Sequence, residues 1–297
     1  MAGQGTKIVA TDYNTIQAKI NLVLGTGTVD YGYGQTVTSS QVTTSANVTA
    51  SQWNALRTDL LKARQHQTGI DETGTLVVPT TSISVKEADR SAYNSFADTI
   101  AFNRLSTPPA SQATLSTLNT VVRTNPWASS INHAVTMNFT STDAARAFFN
   151  TGSNLKFSAS FTSYTSDTSL LVNQSWATLL TNMGIITFNA ESTTNTGTGI
   201  PQNIGFYDLT TTNQLIFTKF VEASSPSYYP NQYDLFVRQG SSAAQIIFTP
   251  TFSYTSGGSG GYASEPANGT LTSLVQVYYA TGSNVAVDLP TTASTTL

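Results

Sequence analysis

The chain has 297 residues, and only 29 of them carry charged side chains, 13 Lys and Arg against 16 Asp and Glu. Ser and Thr number 84, Phe and Tyr 27, His 2 and Cys none. The lack of cysteine excludes a disulfide framework, a thiol nucleophile and thiolate metal centres, and two histidines in an acid-poor chain leave little for a first-row metal. A net charge of −3 argues against a phosphate-neutralising nucleic-acid surface. No cofactor is expected from this inventory.

The charges are uneven: residues 1–150 hold 10 basic and 9 acidic side chains, residues 151–297 hold 3 and 7. The start, Met1-Ala-Gly-Gln-Gly-Thr-Lys7, has no apolar core of a secretory signal, and no run is long and apolar enough for a membrane helix. The expectation is a soluble protein made in a cytoplasm, with no membrane partner. Its aromatic content is enough for a core despite a polarity that resembles disorder.

The first third carries an internal repeat. Thr11-Asp-Tyr-Asn14, Ser51-Gln-Trp-Asn54 and Ser91-Ala-Tyr-Asn94 recur forty residues apart, followed at the same offset by Ile16, Leu56 and Phe96, then Ile20, Leu60 and Ile100. The spacing predicts three helices with the Ser or Thr as N-cap and one apolar face. Gly25 and Gly69 serve as stops. Gly34-Gln-Thr-Val37 and Gly74-Thr-Leu-Val77 also match at forty residues, and each is expected to open an extended segment. Thr107-Pro-Pro109 ends the third copy.

A further helix is predicted over Ala110–Arg123, with Leu115, Leu118, Val121 and Val122 inward. Asn125-Pro-Trp127 marks a boundary, after which period-two alternation dominates. Strands are expected at Ala134–Phe139, Leu155–Phe161, Ile185–Phe188, Gly205–Leu209, Gln214–Phe220, Tyr233–Arg238, Ala244–Phe248 and Leu271–Tyr279. Short helices are expected at 143–150, capped by Thr142, and at about 172–183. Thr210–Asn213 reads as a hairpin loop, Ser256–Gly261 as a flexible connection, and Pro290–Leu297 as an arm that is disordered unless a neighbour holds it. The fold class is α+β: a helical repeat region over 1–126, then a β-rich, sandwich-like domain over 127–297.

Candidate chemistry is sparse. Gly25–Gly34 is glycine-rich but follows a helix and lacks the Lys-Ser/Thr that closes a phosphate loop, so it reads as a turn-rich connection. His66, at a helix end, reads as an exposed or interfacial structural group, and His133 has no nearby triad partners; either could instead be buried and satisfied. A glycan hydrolase would need two acids from Glu191, Asp208, Glu222 and Asp234, although isolated acids in such loops are more often solvated. Tyr228, Tyr229, Tyr278 and Tyr279 could stack on sugars, but they better suit subunit interfaces. With Tyr13, Trp53, Tyr93 and His66 they form the set of candidate interface residues, Tyr13 and Trp53 also being read as core. Thr-rich strands with few charges suit surfaces that meet other subunits, because little charge has to be desolvated.

Four stretches resemble virion structural proteins of tailed phages, particularly the long-tailed myoviruses of marine cyanobacteria. They are Ala10-Thr-Asp-Tyr-Asn-Thr-Ile16 with Trp53-Asn-Ala-Leu-Arg57 and Ala63-Arg-Gln-His-Gln-Thr-Gly69; Ser141–Gly152 leading into Leu155-Lys-Phe157; Ser175–Gly184; and Gly205–Lys219. The resemblance implies a non-enzymatic building block of the tail, neck or an appendage, in several symmetric copies beside other virion proteins. It carries no catalytic motif. The alternative is a receptor- or glycan-binding appendage module, with loops near Tyr228 and Tyr262 on a host surface glycan.

Overall fold

The computed structural model describes residues 8–164, 166, 171–221, 231–254 and 265–297. It is a mixed α and β fold whose chain divides into two compact units. One comprises Met1–Thr114, Arg146–Ser153 and Tyr279–Asp288; the other comprises Leu115–Ala145, Asn154–Tyr278 and Leu289–Leu297.

Three helices build the first unit: α1 (Ala10–Leu24), α2 (Ala50–Thr68) and α3 (Glu87–Phe102). Their N-caps, Val9, Thr49 and Lys86, fall two, two and five residues before the expected Thr11, Ser51 and Ser91. The residue preceding each helix donates its backbone N–H to a side chain three positions on: Val9 to Asp12 (3.2 Å), Thr49 to Gln52 (2.8 Å) and Lys86 to Asp89 (2.8 Å). In α2 the Thr49 hydroxyl oxygen in turn accepts from Gln52 N, which makes a capping box. Thr11, Ser51 and Ser91 are therefore helical residues rather than caps.

The apolar faces meet around Trp53. Its ring takes Tyr13 edge-on at 5.2 Å and Tyr93 at 5.0 Å, and all three are buried with Ile16, Ile20, Leu56, Leu60, Phe96 and Ile100. Edge-to-face pairs add to the area term because each positive ring edge meets a negative ring face.

Each of the first two helices also grips a stretch of irregular extended chain. Asn14 donates to Val42 O (2.7 Å) and accepts from Val42 N (2.8 Å), while Gln17 donates to Ser39 O (3.2 Å). Forty residues on, Asn54 donates to Pro79 O (3.0 Å) and Arg57 to Leu76 O (3.3 Å). The buried carboxylate of Asp59 accepts Thr38 N (3.0 Å) and Ser39 N (2.7 Å). The segments after Gly34 and Gly74 form no strand, and Thr75 and Leu76 of the second lie in a bend. Their backbone polarity is met by amide, guanidinium and carboxylate side chains rather than by a ladder.

The glycine-rich run is a C-terminal closure for α1. Tyr33 N, Gln35 N and Gly34 N donate to the carbonyls of Val23, Leu24 and Gly25. Gly27, Gly32 and Gly34 hold positive φ, and so does Val29 (φ 55°), a β-branched residue with 79% of its surface exposed. Such a residue pays strain there with no packing in return.

The second unit holds two antiparallel sheets. Its strands are β1 (Ala113–Arg123), β2 (Ile131–Asn132), β3 (Val135–Asn138), β4 (Asn154–Ser163), β5 (Ile186–Phe188), β6 (Thr193–Asn195), β7 (Ile200–Pro201), β8 (Gln214–Phe220), β9 (Gln232–Gln239), β10 (Gln245–Ser253), β11 (Gly269–Ala280) and β12 (Thr291–Ser294). One sheet runs β1-β11-β4-β5-β6; the other runs β12-β3-β10-β9-β8-β7, with β2 also on β10. Their inner faces meet through Phe157 and Phe188 against Phe248, at 4.6 and 5.1 Å. Helix α5 (Leu171–Met183) buries Trp176, which reaches Trp127 at 5.9 Å and Phe252 at 6.2 Å.

Helix α4 (Thr142–Asn150) is capped by Ser141, whose hydroxyl accepts Ala144 N at 3.0 Å, one residue before the expected Thr142. Gly152 ends it at φ 73°, where a Cβ would strike Ser106 O.

Four further expectations are overturned. Residues 113–123 are the strand β1, not a helix; the β-branched Thr114, Thr117, Thr120, Val121 and Val122 favour the pleat, and the sheet order places β11 beside them. Gly205–Leu209 is a 3₁₀ turn over Phe206–Asp208, because Asp208 folds back to accept Gly205 N at 2.9 Å. Thr210–Asn213 is therefore the entry to β8 and not a hairpin loop. The C-terminal arm is ordered by the chain's own β3, which pairs Val135–Asn138 with Ser294–Thr291. Ser256–Gly261 lies outside the described residues.

Two outcomes test the first unit. Trp53→Ala should cost about 3–5 kcal/mol in urea unfolding, the range for emptying a buried aromatic site. Val29→Asn, which tolerates the left-handed region, should raise stability by about 0.5–1 kcal/mol.

Candidate functional site

The polar cluster with the most chemistry sits where β1, β3, β11 and β12 converge, and its centre is His133. The pairing of β10 with β2 stops at Thr251 and resumes with β3 at Phe248, so the gap falls opposite Thr249 and Pro250. Proline has no N–H to give, and its carbonyl takes His133 N at 2.9 Å. The imidazole is fully buried. Its Nδ1 lies 2.9 Å from Ser273 Oγ and its Nε2 lies 2.9 Å from Asn119 Oδ1.

The network fixes the tautomer. Asn119 spends its amide N–H on Ser294 Oγ (3.0 Å), so its oxygen faces His133 as an acceptor. Nε2 therefore carries the proton, and Nδ1 accepts the Ser273 hydroxyl. Burial pushes the pKa of His133 down to about 4. A hydroxyl, an imidazole and an amide in line are the parts of a nucleophilic triad, but Ser273 is buried within β11. A nucleophile has to reach a substrate carbonyl, so this cluster reads as a polar rivet joining the edges of the two sheets.

His66 is the corresponding group of the first unit. It is buried rather than exposed, donates Nε2–H to Thr151 O at 2.9 Å and meets the Tyr33 ring edge-on at 5.1 Å, while Nδ1 has no partner. Desolvation pushes its pKa down to about 4, outweighing the carbonyl bond. Next to it Gln67 donates to both Tyr33 Oη and Ile100 O at 2.9 Å. Burial raises the Tyr33 hydroxyl far above its ordinary value.

The remaining candidates are dispersed. Tyr13, Trp53 and Tyr93 are interior, so they hold the first unit together from within; burial, then the Asp59 charge, pushes the Tyr13 hydroxyl up to about 12. Tyr278 and Tyr279 are half-buried on β11, with Lys156 Nζ over the Tyr278 ring at 5.9 Å. Tyr228, Tyr229, Tyr262 and Glu222 lie outside the described residues. Asp208 caps its own turn. Asp234 is buried in β9 and accepts Thr218 Oγ1 at 2.6 Å from the facing strand. Glu191 is exposed. Asp208 and Asp234 serve local structure in different places, and no group of three or more His, Asp or Glu able to hold a metal ion occurs among the described residues.

Spacing had offered no hint of the His133 cluster, whose members come from positions 119, 133, 273 and 294. The one usable signal was Pro250 inside an otherwise alternating strand. No protein-family profile, curated protein or solved structure matches this chain.

Both histidines titrate near pH 6.5 when unfolded and near pH 4 when folded. Between those values the unfolded chain holds more protons, so stability is full above pH 6.5 and is lost as pH falls to 4. Each histidine contributes a slope of up to about 1.4 kcal/mol per pH unit in that window. Urea unfolding from pH 7.5 to 4 should show the decline. His133→Gln and His66→Gln should each flatten it relative to the unaltered chain; an unchanged slope in both would contradict the assignment.

Proposed function

We propose that this chain is a non-enzymatic building block of a tailed-phage particle, in its tail, neck or an appendage, present in several copies beside other virion proteins. The observation that carries the multi-copy reading is β1. It forms one end of the five-stranded sheet, and residues 113–122 contain no charged side chain. Leu115 and Val122 stand 50% and 52% exposed on it. The chain's own residues 292–297 touch this strand at Leu118 O, Asn119 and Arg123. Its start around Leu115 is a long, uncharged edge with apolar side chains outward, a template for another chain, and proteins that act alone blunt such edges with Lys, Pro or a cover. Phe102 at the end of α3, 85% exposed, adds a second apolar contact point. The tailed-phage part rests on the four resembling stretches.

In the same reading the two facing sheets are a β-sandwich, and the first three helices are copies of one module. The support for the module is that Asn14 with Gln17, and Asn54 with Arg57, grip carbonyls three residues apart, at Val42 and Ser39 and at Pro79 and Leu76.

Leu115→Lys tests the edge. It should change unfolding free energy by less than about 0.5 kcal/mol, as surface changes do, yet reduce self-association in sedimentation several-fold. Mass spectrometry of washed phage particles should find the chain at fixed stoichiometry; its absence would overturn the virion reading. Binding of the isolated chain to a host glycan array would replace it with the appendage-receptor alternative.

A further inference from the structure

The last seven residues are held to the fold in an unusual way. Thr291–Ser294 pair with Asn138–Val135, Thr295 N donates to Ala134 O (3.0 Å), and Ala134 N donates to Thr295 Oγ1 (3.0 Å). Around that ladder, Thr292 Oγ1 donates to Leu118 O (3.3 Å), Asn119 to Ser294 Oγ (3.0 Å) and Arg123 Nη1 to Leu297 O (3.1 Å). Yet no side chain from 291 to 297 is buried, and 292 and 297 are the two that are even half-covered. Residues 291–297 are bound through backbone and polar groups, each net worth about 1 kcal/mol, and the apolar anchor nearest to them is the buried Pro290.

The groove beneath it is demanding. Val135 and Met137 of β3 are fully buried, and without the arm this strand would be the open end of the seven-stranded sheet. Just upstream the chain is fixed: Val285 is buried in the core of the first unit and Val287 packs against that core. Between that anchor and the arm lie Asp288 and Leu289, both exposed, and then Pro290. Pro290 is itself buried, so the exposed part of the connection is Asp288 and Leu289, and it joins a firmly anchored segment to a strand held by polar groups.

We propose that the C-terminal arm, residues 291–297, is an exchangeable strand, and that its partner is β3 of a second copy of this chain. An identical strand delivered by a neighbour restores every hydrogen bond given up, so exchange costs only hinge strain and the entropy of association. The inference uses the multi-copy part of the preceding proposal and not its phage setting.

The absence of cysteine makes the test clean. Ala293 and Thr136 face each other in the ladder, and neither is a buried core residue. Copies carrying Ala293→Cys would be mixed with differently tagged copies carrying Thr136→Cys, concentrated, oxidised mildly and run on a non-reducing gel. Exchange predicts a mixed disulfide dimer several-fold above either homodimer. The idea is overturned if the mixed dimer does not exceed the homodimers while both substitutions in one chain yield an internally bridged monomer. A chain that still self-associates without that mixed dimer keeps the multi-copy reading and loses the exchange.

Discussion

Backbone that leaves regular structure must still pair its N–H and C=O groups, and in this protein side-chain amides, hydroxyls and carboxylates do the pairing. Asn14 takes both polar groups of Val42, Asp59 collects two successive amides from Thr38 and Ser39, and Gln35 reaches Ala286 O at 2.8 Å. Without them the extended segments beside α1 and α2 would have to desolvate their backbone unpaired, at a cost of about 1–3 kcal/mol per group. The aromatic core around Trp53 depends on the same grip, because the Tyr93 hydroxyl donates to Val77 O (2.7 Å) within the second extended segment. A composition rich in Asn, Gln, Ser and Thr is thus the material from which a fold with much irregular backbone is held.

The same logic sets what could be read in advance. Tyr13 and Trp53 were legible as core residues because helical periodicity is local, whereas Tyr93, read as an interface residue, is buried with them. The strands β4, β8, β9, β10 and β11 were legible for the corresponding reason, a period of two, which burial follows cleanly in β10 and β11. Residues 113–123 were not: Leu115, Leu118, Val121 and Val122 fit a helical stripe, while the β-branched content fits a strand. A partner in β11, more than 140 residues away in the chain, decides between them. Gly205–Leu209 failed differently, since one carboxylate turning back on its own backbone outweighed the alternation.

The His133 cluster lay beyond local reading altogether. Asn119, His133, Ser273 and Ser294 become neighbours only once two sheets have formed and the chain end has returned to β3. Its chemistry is also inverted relative to what a sequence search seeks. A histidine with a hydroxyl and an amide in line suggests reactivity, but burial that pushes the imidazole down to about 4 keeps it neutral and committed to two hydrogen bonds.

The scarcity of charge then takes a specific meaning. The usual way to keep a sheet end from pairing with another chain is to place Lys, Glu or Pro along it. Here β1 carries one charged residue, Arg123 at its last position, and Arg123 is turned toward Asn125 O, Pro126 O and Leu297 O. At the end of the other sheet the fold relies on the arm itself, which covers β3 with exposed Thr, Ala and Ser. A cover that can be lifted differs physically from a charge that cannot. Charge forbids pairing at all times, whereas a lightly held strand forbids it only until an equal strand arrives. In the proposed exchange, a chain that protects its sheets in the second way would keep them available to its own kind, a role that 84 hydroxyl side chains beside 29 charges would suit.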